Sequence, residues 1–189
     1  MTAPGAYGHE MPTCVALLRG INVSGHNPLK MADLRALLET LGHRDVATYL
    51  QSGNVVFSAR GGTPAAIGAT IERRIAKELG REVIVLVRSK AVLAKIAADN
   101  PLAKRGVDVA HLHVTFLGER PAAAMVSAID PNRFLPDTFA LARREVYLCC
   151  PNGYGRTKLN NGFFERALAT DATTRNWKTV NALLTMAGG

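Results

Sequence analysis

The chain has 189 residues, 48% of them hydrophobic, and its 23 Lys and Arg against 15 Asp and Glu give a formal charge of +8. That apolar share excludes global disorder, and the length suits one compact domain or two small packed lobes. The basic balance favours acidic partners such as nucleic acid, nucleotides or anionic lipid, although a charge count alone also describes an ordinary soluble surface.

Residues 1–12, MTAPGAYGHEMP, lack the basic and apolar regions of a secretory leader and are expected to form a disordered tail. Cys14 to Leu18 is a short apolar run, read as a buried strand. The loop Arg19-Gly20-Ile21-Asn22-Val23-Ser24-Gly25 follows it. Met31, Leu34, Leu37, Leu38 and Leu41 then make one helical stripe, and Gly42 suits the stop. Val46 to Leu50 and Val55 to Phe57 read as a hairpin around Gln51-Ser52-Gly53-Asn54, where Gly53 supplies positive φ. A second helix is expected over Pro64 to Leu79, and a fourth strand over Val83 to Val87. Ser89 caps a short helix with Leu93 and Ile96 inward. The order strand, helix, strand, strand, helix, strand is the ferredoxin-like split βαβ arrangement.

Asn100-Pro101 and the polar stretch to Asp108 mark a boundary, giving lobes at 13–105 and 106–189. The second half repeats the pattern: a strand over His111 to Leu117, a helix over Pro121 to Ala128, a hairpin from Phe139 to Cys149, and a helix over Leu159 to Leu168. A final helix is expected to start near Thr174 in place of a fourth strand. The fold class is therefore α+β, two packed ferredoxin-like lobes, the second modified with a C-terminal helix. No apolar run approaches the roughly 18 residues of a membrane span. Three cysteines without metal-ligand spacing suggest a reducing cytoplasm, with no bound metal or cofactor expected; Cys14 is expected to be inert core, and Cys149 and Cys150 to face opposite sides of a strand.

Four words in order, Leu17-Leu18-Arg19-Gly20-Ile21-Asn22-Val23, Gln51-Ser52-Gly53-Asn54-Val55, Gly153-Tyr154-Gly155-Arg156-Thr157-Lys158-Leu159 and Ala172-Thr173-Thr174-Arg175-Asn176-Trp177, resemble domain of unknown function 1697, a family of mostly small bacterial proteins. The resemblance runs from about Thr13 to Met186. It implies an α+β unit of ferredoxin-like lobes and carries over no activity, substrate or catalytic residue. Ser24 departs from a usual glycine and stiffens the first loop; Lys178 departs from a usual asparagine and adds a cation.

The clearest chemical signal lies in Gly153–Lys178. Two entries, around Arg156-Thr157-Lys158 and Thr174-Arg175-Asn176-Trp177, place cations where helices are expected to begin. A helix N-terminus is already partly positive, so cations there make sense if an anion sits among them. In this reading Thr174 caps the last helix, Arg175 holds a phosphate or carboxylate, and Trp177 stacks on a base. The structural alternative has Arg175 paired with a carboxylate and Trp177 in the core. Arg19 and Asn22 follow a strand end, and Gln51 and Asn54 present polar groups from a turn, so the candidate anion contacts are Arg19, Asn22, Gln51, Asn54, Arg156, Lys158, Thr174, Arg175, Asn176 and Trp177.

His113-Val114-Thr115 resembles one half of the paired His-x-Thr signature of the two-histidine phosphoesterases, whose second half the chain lacks. His111 and His113 are expected on a solvent face or against the other lobe. Three readings follow: a cytoplasmic binding protein for a phosphate-bearing ligand, nucleic acid included; an enzyme acting on a small phosphorylated or acidic substrate; or a protein-interaction module.

Overall fold

The computed structural model describes residues 11–22 and 28–189. The expected tail lies outside these residues except for Met11 and Pro12, as does Ser24. The first lobe runs β1 (Thr13–Leu18), α1 (Met31–Thr40), β2 (Arg44–Tyr49), β3 (Asn54–Ser58), α2 (Pro64–Leu79), β4 (Val85–Ser89) and α3 (Lys90–Ala98). The second runs β5 (Leu112–Leu117), α4 (Ala123–Ser127), β6 (Thr138–Leu141), β7 (Glu145–Cys149), α5 (Asn161–Leu168), β8 (Ala172–Asn176) and α6 (Trp177–Met186). The sheets have the orders β2-β3-β1-β4 and β6-β7-β5-β8, and every pair in them is antiparallel. Each is a split βαβ sheet.

The period of two along each strand divides the core into three. In β1, Cys14, Ala16 and Leu18 face α1 and α2, where Leu34, Leu38, Ile71 and Ile75 bury their stripes. Val15 and Leu17 face the other way, into a central core shared with Val114 and Phe116 of β5, Leu93 and Ile96 of α3, and Val180 and Leu183 of α6. Leu117, Val146 and Leu148 pack on Phe164 and Leu168 of α5 in the third core. The central core joins the lobes into one body. Local signals agree with this packing. Thr63 caps α2 by accepting from the Ala66 N–H, Pro64 takes the first turn, and Gly80 ends the helix at φ 62°.

The end of the second lobe corrects the sequence reading. Ala172–Asn176 is a strand, paired antiparallel with β5 through Thr115 opposite Thr174, so the second sheet has its fourth strand. The cap of α6 is Asn176, whose side chain accepts from the Thr179 N–H at 2.8 Å, and not Thr174. The other expected entry shifts as well. Tyr154–Arg156 is only a 3-10 turn, and α5 starts at Asn161 under the Asn160 cap, so Arg156 and Lys158 precede the helix. The C-terminal helix has a counterpart: α3 follows β4 as α6 follows β8, with Ser89 and Asn176 each serving as last strand residue and cap.

Candidate functional site

The two lobes exchange arginines. Arg88 and Arg175 each immediately precede those capping residues. Nη2 of Arg175 donates to the carbonyl of Leu18 at the end of β1 (2.7 Å) and to Ser52 in the β2–β3 turn (3.2 Å). Nη2 of Arg88 donates to the carbonyl of Leu117 at the end of β5 (2.6 Å) and to Arg144 in the β6–β7 turn (3.4 Å). Each Nη1 donates to the carbonyl of the preceding residue, Thr174 at 2.8 Å and Val87 at 3.1 Å. Each Nε faces the first residue of the opposite lobe's hairpin return, Asn54 in one case and Glu145 in the other. Within each lobe the backbone makes the same bond at matching positions, Leu18 N–H to the Gly53 carbonyl and Leu117 N–H to the Arg144 carbonyl.

The chemistry of the two ends differs. Arg175 Nε donates to the amide oxygen of Asn54 at 2.5 Å, and Nη1 also donates to Thr173 Oγ1 at 2.8 Å. With the three carbonyl bonds, this uses all five guanidinium donors. Every acceptor is neutral, and no carboxylate pairs with Arg175 among the described residues. Burial lowers its pKa to about 10. Asn54 is fully buried and held by donating to the Tyr49 carbonyl and Ser52 Oγ.

A polar cluster that sequence reasoning missed continues from Arg175 into the second lobe. Thr174 Oγ1 donates to Asn161 Oδ1 at 2.7 Å, and therefore accepts from Thr115 Oγ1, also at 2.7 Å. The Tyr154 hydroxyl is buried without a hydrogen-bond partner. Burial raises its pKa, opposed by the nearby Thr174 hydroxyl and, more weakly, by the Arg175 charge. The Tyr154 ring stacks on His113 with centroids 4.9 Å apart, so His113 faces neither solvent nor the first lobe. His113 Nδ1 lies 3.1 Å from the His111 carbonyl and donates to it; burial lowers its pKa, so the ring is neutral near pH 7. The only prior trace of this cluster was the alternation of polar side chains on β5 and β8, which needs β8 to be read as a strand.

The other expected contacts divide into groups. The words of the first lobe do meet those of the second, through Arg175 on Leu18, Ser52 and Asn54. Asn22, at φ 53°, staples its own loop by accepting from Leu29 N–H and donating to the Leu29 and Gln51 carbonyls. Gln51, Asn176, Arg156 and Lys158 are exposed. Trp177 is partly buried against the central core, as the structural alternative has it. That alternative fails for Arg175, whose partners are neutral. Arg19 points away from the others, making a two-pronged pair with Glu165 at 2.5 and 2.7 Å. The hollow around it, about 620 Å³, also holds Glu119 and Asp171, a poor place for an anion. The three thiols are free and buried; burial raises each pKa, to about 11 for Cys150, which keeps them inert. No cluster of three or more metal-ligating side chains occurs among the described residues, and no helix among them is long and apolar enough to cross a membrane.

No curated protein matches this chain. Its structure is similar to that of the conserved bacterial protein SP0830 from Streptococcus pneumoniae, with a TM-score of 0.72 over 93% of this chain and 98% of that one. At 23% identity the likeness is one of fold. The family described as "protein of unknown function (DUF1697)" matches residues 11–147, the whole first lobe and the second as far as β7. The words at Gly153–Leu159 and Ala172–Trp177 lie beyond that match, while those at Leu17–Val23 and Gln51–Val55 lie within it. On that match, which spans more than half of the sequence, the chain belongs to the DUF1697 family.

Proposed function

We propose that the chain is a binding protein for a phosphate-bearing ligand, taken at the Arg175 end of the seam. The observation that carries this is a half-buried guanidinium held entirely by neutral acceptors. A desolvated charge without a counter-ion is costly. An anion about 5 Å away would gain about 3 kcal/mol at an effective dielectric of about 20. Because its donors are used, Arg175 contributes field and not direct bonds. Direct contacts fall to the exposed Arg156 and Lys158 and to the first turn of α6, where Lys178 and free N–H groups stand.

Trp177, the only tryptophan, begins that turn and provides the probe. Titration with inorganic pyrophosphate and with a mononucleotide should change its fluorescence saturably. Arg156→Ala/Lys158→Ala, both exposed positions, should weaken binding by about fivefold or more. Oligonucleotides extend the test: a linear fall of log K with log salt would count phosphate contacts and identify nucleic acid as the partner. Unchanged fluorescence and unchanged melting temperature with every phosphate probe would overturn the proposal.

A further inference from the structure

The Arg88 end of the seam opens on a cavity of about 440 Å³ between the lobes, inside the usual size range of small-molecule sites. Its apolar walls include Val92 and Ile96 of α3 and Ala140, Ala142 and Tyr147 of the second lobe. Tyr147 adds no free polar group, because its hydroxyl already donates to the Ile96 carbonyl at 3.1 Å. Arg88 and Glu145 also line it, and Arg88 is only 4% exposed. Arg88 Nε is buried and makes no hydrogen bond; the nearest carboxylate oxygen, on Glu145, is 3.7 Å away.

The charges here do not balance. Arg144 borders the same cavity, donates to the Gly118 carbonyl, and pairs with no carboxylate among the described residues. The exposed Arg143 lines it too, so three guanidiniums stand against one buried carboxylate, Glu145. At the rim, Lys95 and Asp99 cancel each other at 2.7 Å. Glu72, Glu119 and Asp171 share a smaller adjoining hollow with Arg88 and Arg144, which disfavours a ligand of more than one negative charge.

We propose that this cavity binds a small organic acid, an apolar body carrying a single carboxylate. The body fills the apolar space, one carboxylate sits between Arg88 and Arg144, and its oxygen supplies the acceptor that Arg88 Nε lacks. The site is separate from the phosphate site: no residue of the Arg175 cluster lines it.

The test is ligand-observed NMR with 4-phenylbutyrate, its neutral amide, and acetate. The carboxylate should bind saturably and at least about tenfold more tightly than the amide, with acetate too small to compete. Arg144→Ala, at an exposed position, should remove that preference, and Ala142→Trp should fill the cavity and abolish binding, with circular dichroism confirming the fold of each. Arg156→Ala/Lys158→Ala should leave it unchanged, which separates this site from the phosphate site. Equal binding of the amide, an Arg144→Ala variant that keeps the preference, or no saturable binding of 4-phenylbutyrate at millimolar concentration would overturn the proposal.

Discussion

Arg88 and Arg175 occupy matching places in two copies of one fold, reach for the matching carbonyls of Leu117 and Leu18, and end on different partners. Arg88 faces a carboxylate, Glu145, at 3.7 Å; Arg175 faces a buried amide, Asn54, at 2.5 Å. One substitution between equivalent positions thus separates a nearly paired charge from an uncompensated one. The shared carbonyl bonds hold the lobes together at both ends. The differing fourth partner gives the two ends different charge, a carboxylate beside Arg88 and an amide beside Arg175.

The comparison is broken most sharply at the paired end. Arg88→Met leaves Glu145, 7% exposed, as a buried charge without its partner, and should cost about 3–5 kcal/mol in chemical denaturation. Arg88→Met/Glu145→Gln should recover at least half of that loss. At the other end Arg175→Met strands only neutral acceptors and should cost less, about 2–4 kcal/mol, with no recovery on adding Asn54→Ala. If the second-site change rescues both ends equally, the distinction between them is wrong. The turns differ in the same way. Gly53 sits at φ 70°, and a Cβ there would lie 2.7 Å from both Leu18 Cβ and Ile21 Cδ1. Gly53→Ala should therefore cost about 1–3 kcal/mol, whereas Ala at the equivalent, exposed Arg144 should change stability by less than about 0.5 kcal/mol.

The smallest effect is one both lobes share. His43 in the first and His113 in the second are buried, and burial lowers both pKa values below the ordinary 6.5. A depressed folded pKa means that the unfolded chain binds the proton more readily. Their contribution to stability is thus complete above about pH 6.5 and is lost as pH falls through the folded values. His43→Phe, at a ring packed 4.7 Å from Phe57, should flatten part of that acid slope in urea melts at successive pH values; an unchanged slope would remove His43 from the account.

Much of this architecture was legible beforehand. The helix expected over Pro64 to Leu79 is found as α2, where the buried stripe Ile67, Ile71, Ile75 and the Gly80 stop agree; the Thr63 cap is added by the structure. Strand β8 escaped because Thr173 and Arg175 are polar: one face of it is hydrogen-bonded into the seam, not packed on apolar side chains, so alternation of hydrophobicity carries no signal. It also meets α6 without a loop, and Asn176 serves both elements. Arg88 escaped because its strand was ended two residues early, at Val87, on apolar character. The equivalence of Arg88 to Arg175 and of Glu145 to Asn54 could not be read from unequal loop lengths and dissimilar neighbours. Among the expected anion contacts, Asn54 and Arg175 meet in a hydrogen bond, while the Thr174 side chain turns to Asn161 and Thr115. The turning away of Arg19 to Glu165 depends on where α5 packs, which no local pattern encodes.

The most direct test converts one end into the other. Asn54→Asp places a carboxylate against Arg175, as Glu145 stands against Arg88. Pyrophosphate would be titrated into the original protein and this variant, read by Trp177 fluorescence and melting temperature. The account predicts saturable binding to the original protein, and loss of affinity by about tenfold or more in a variant that still folds. Equal affinity in the two proteins would show that the uncompensated charge on Arg175 does not recruit the anion, and would contradict the account.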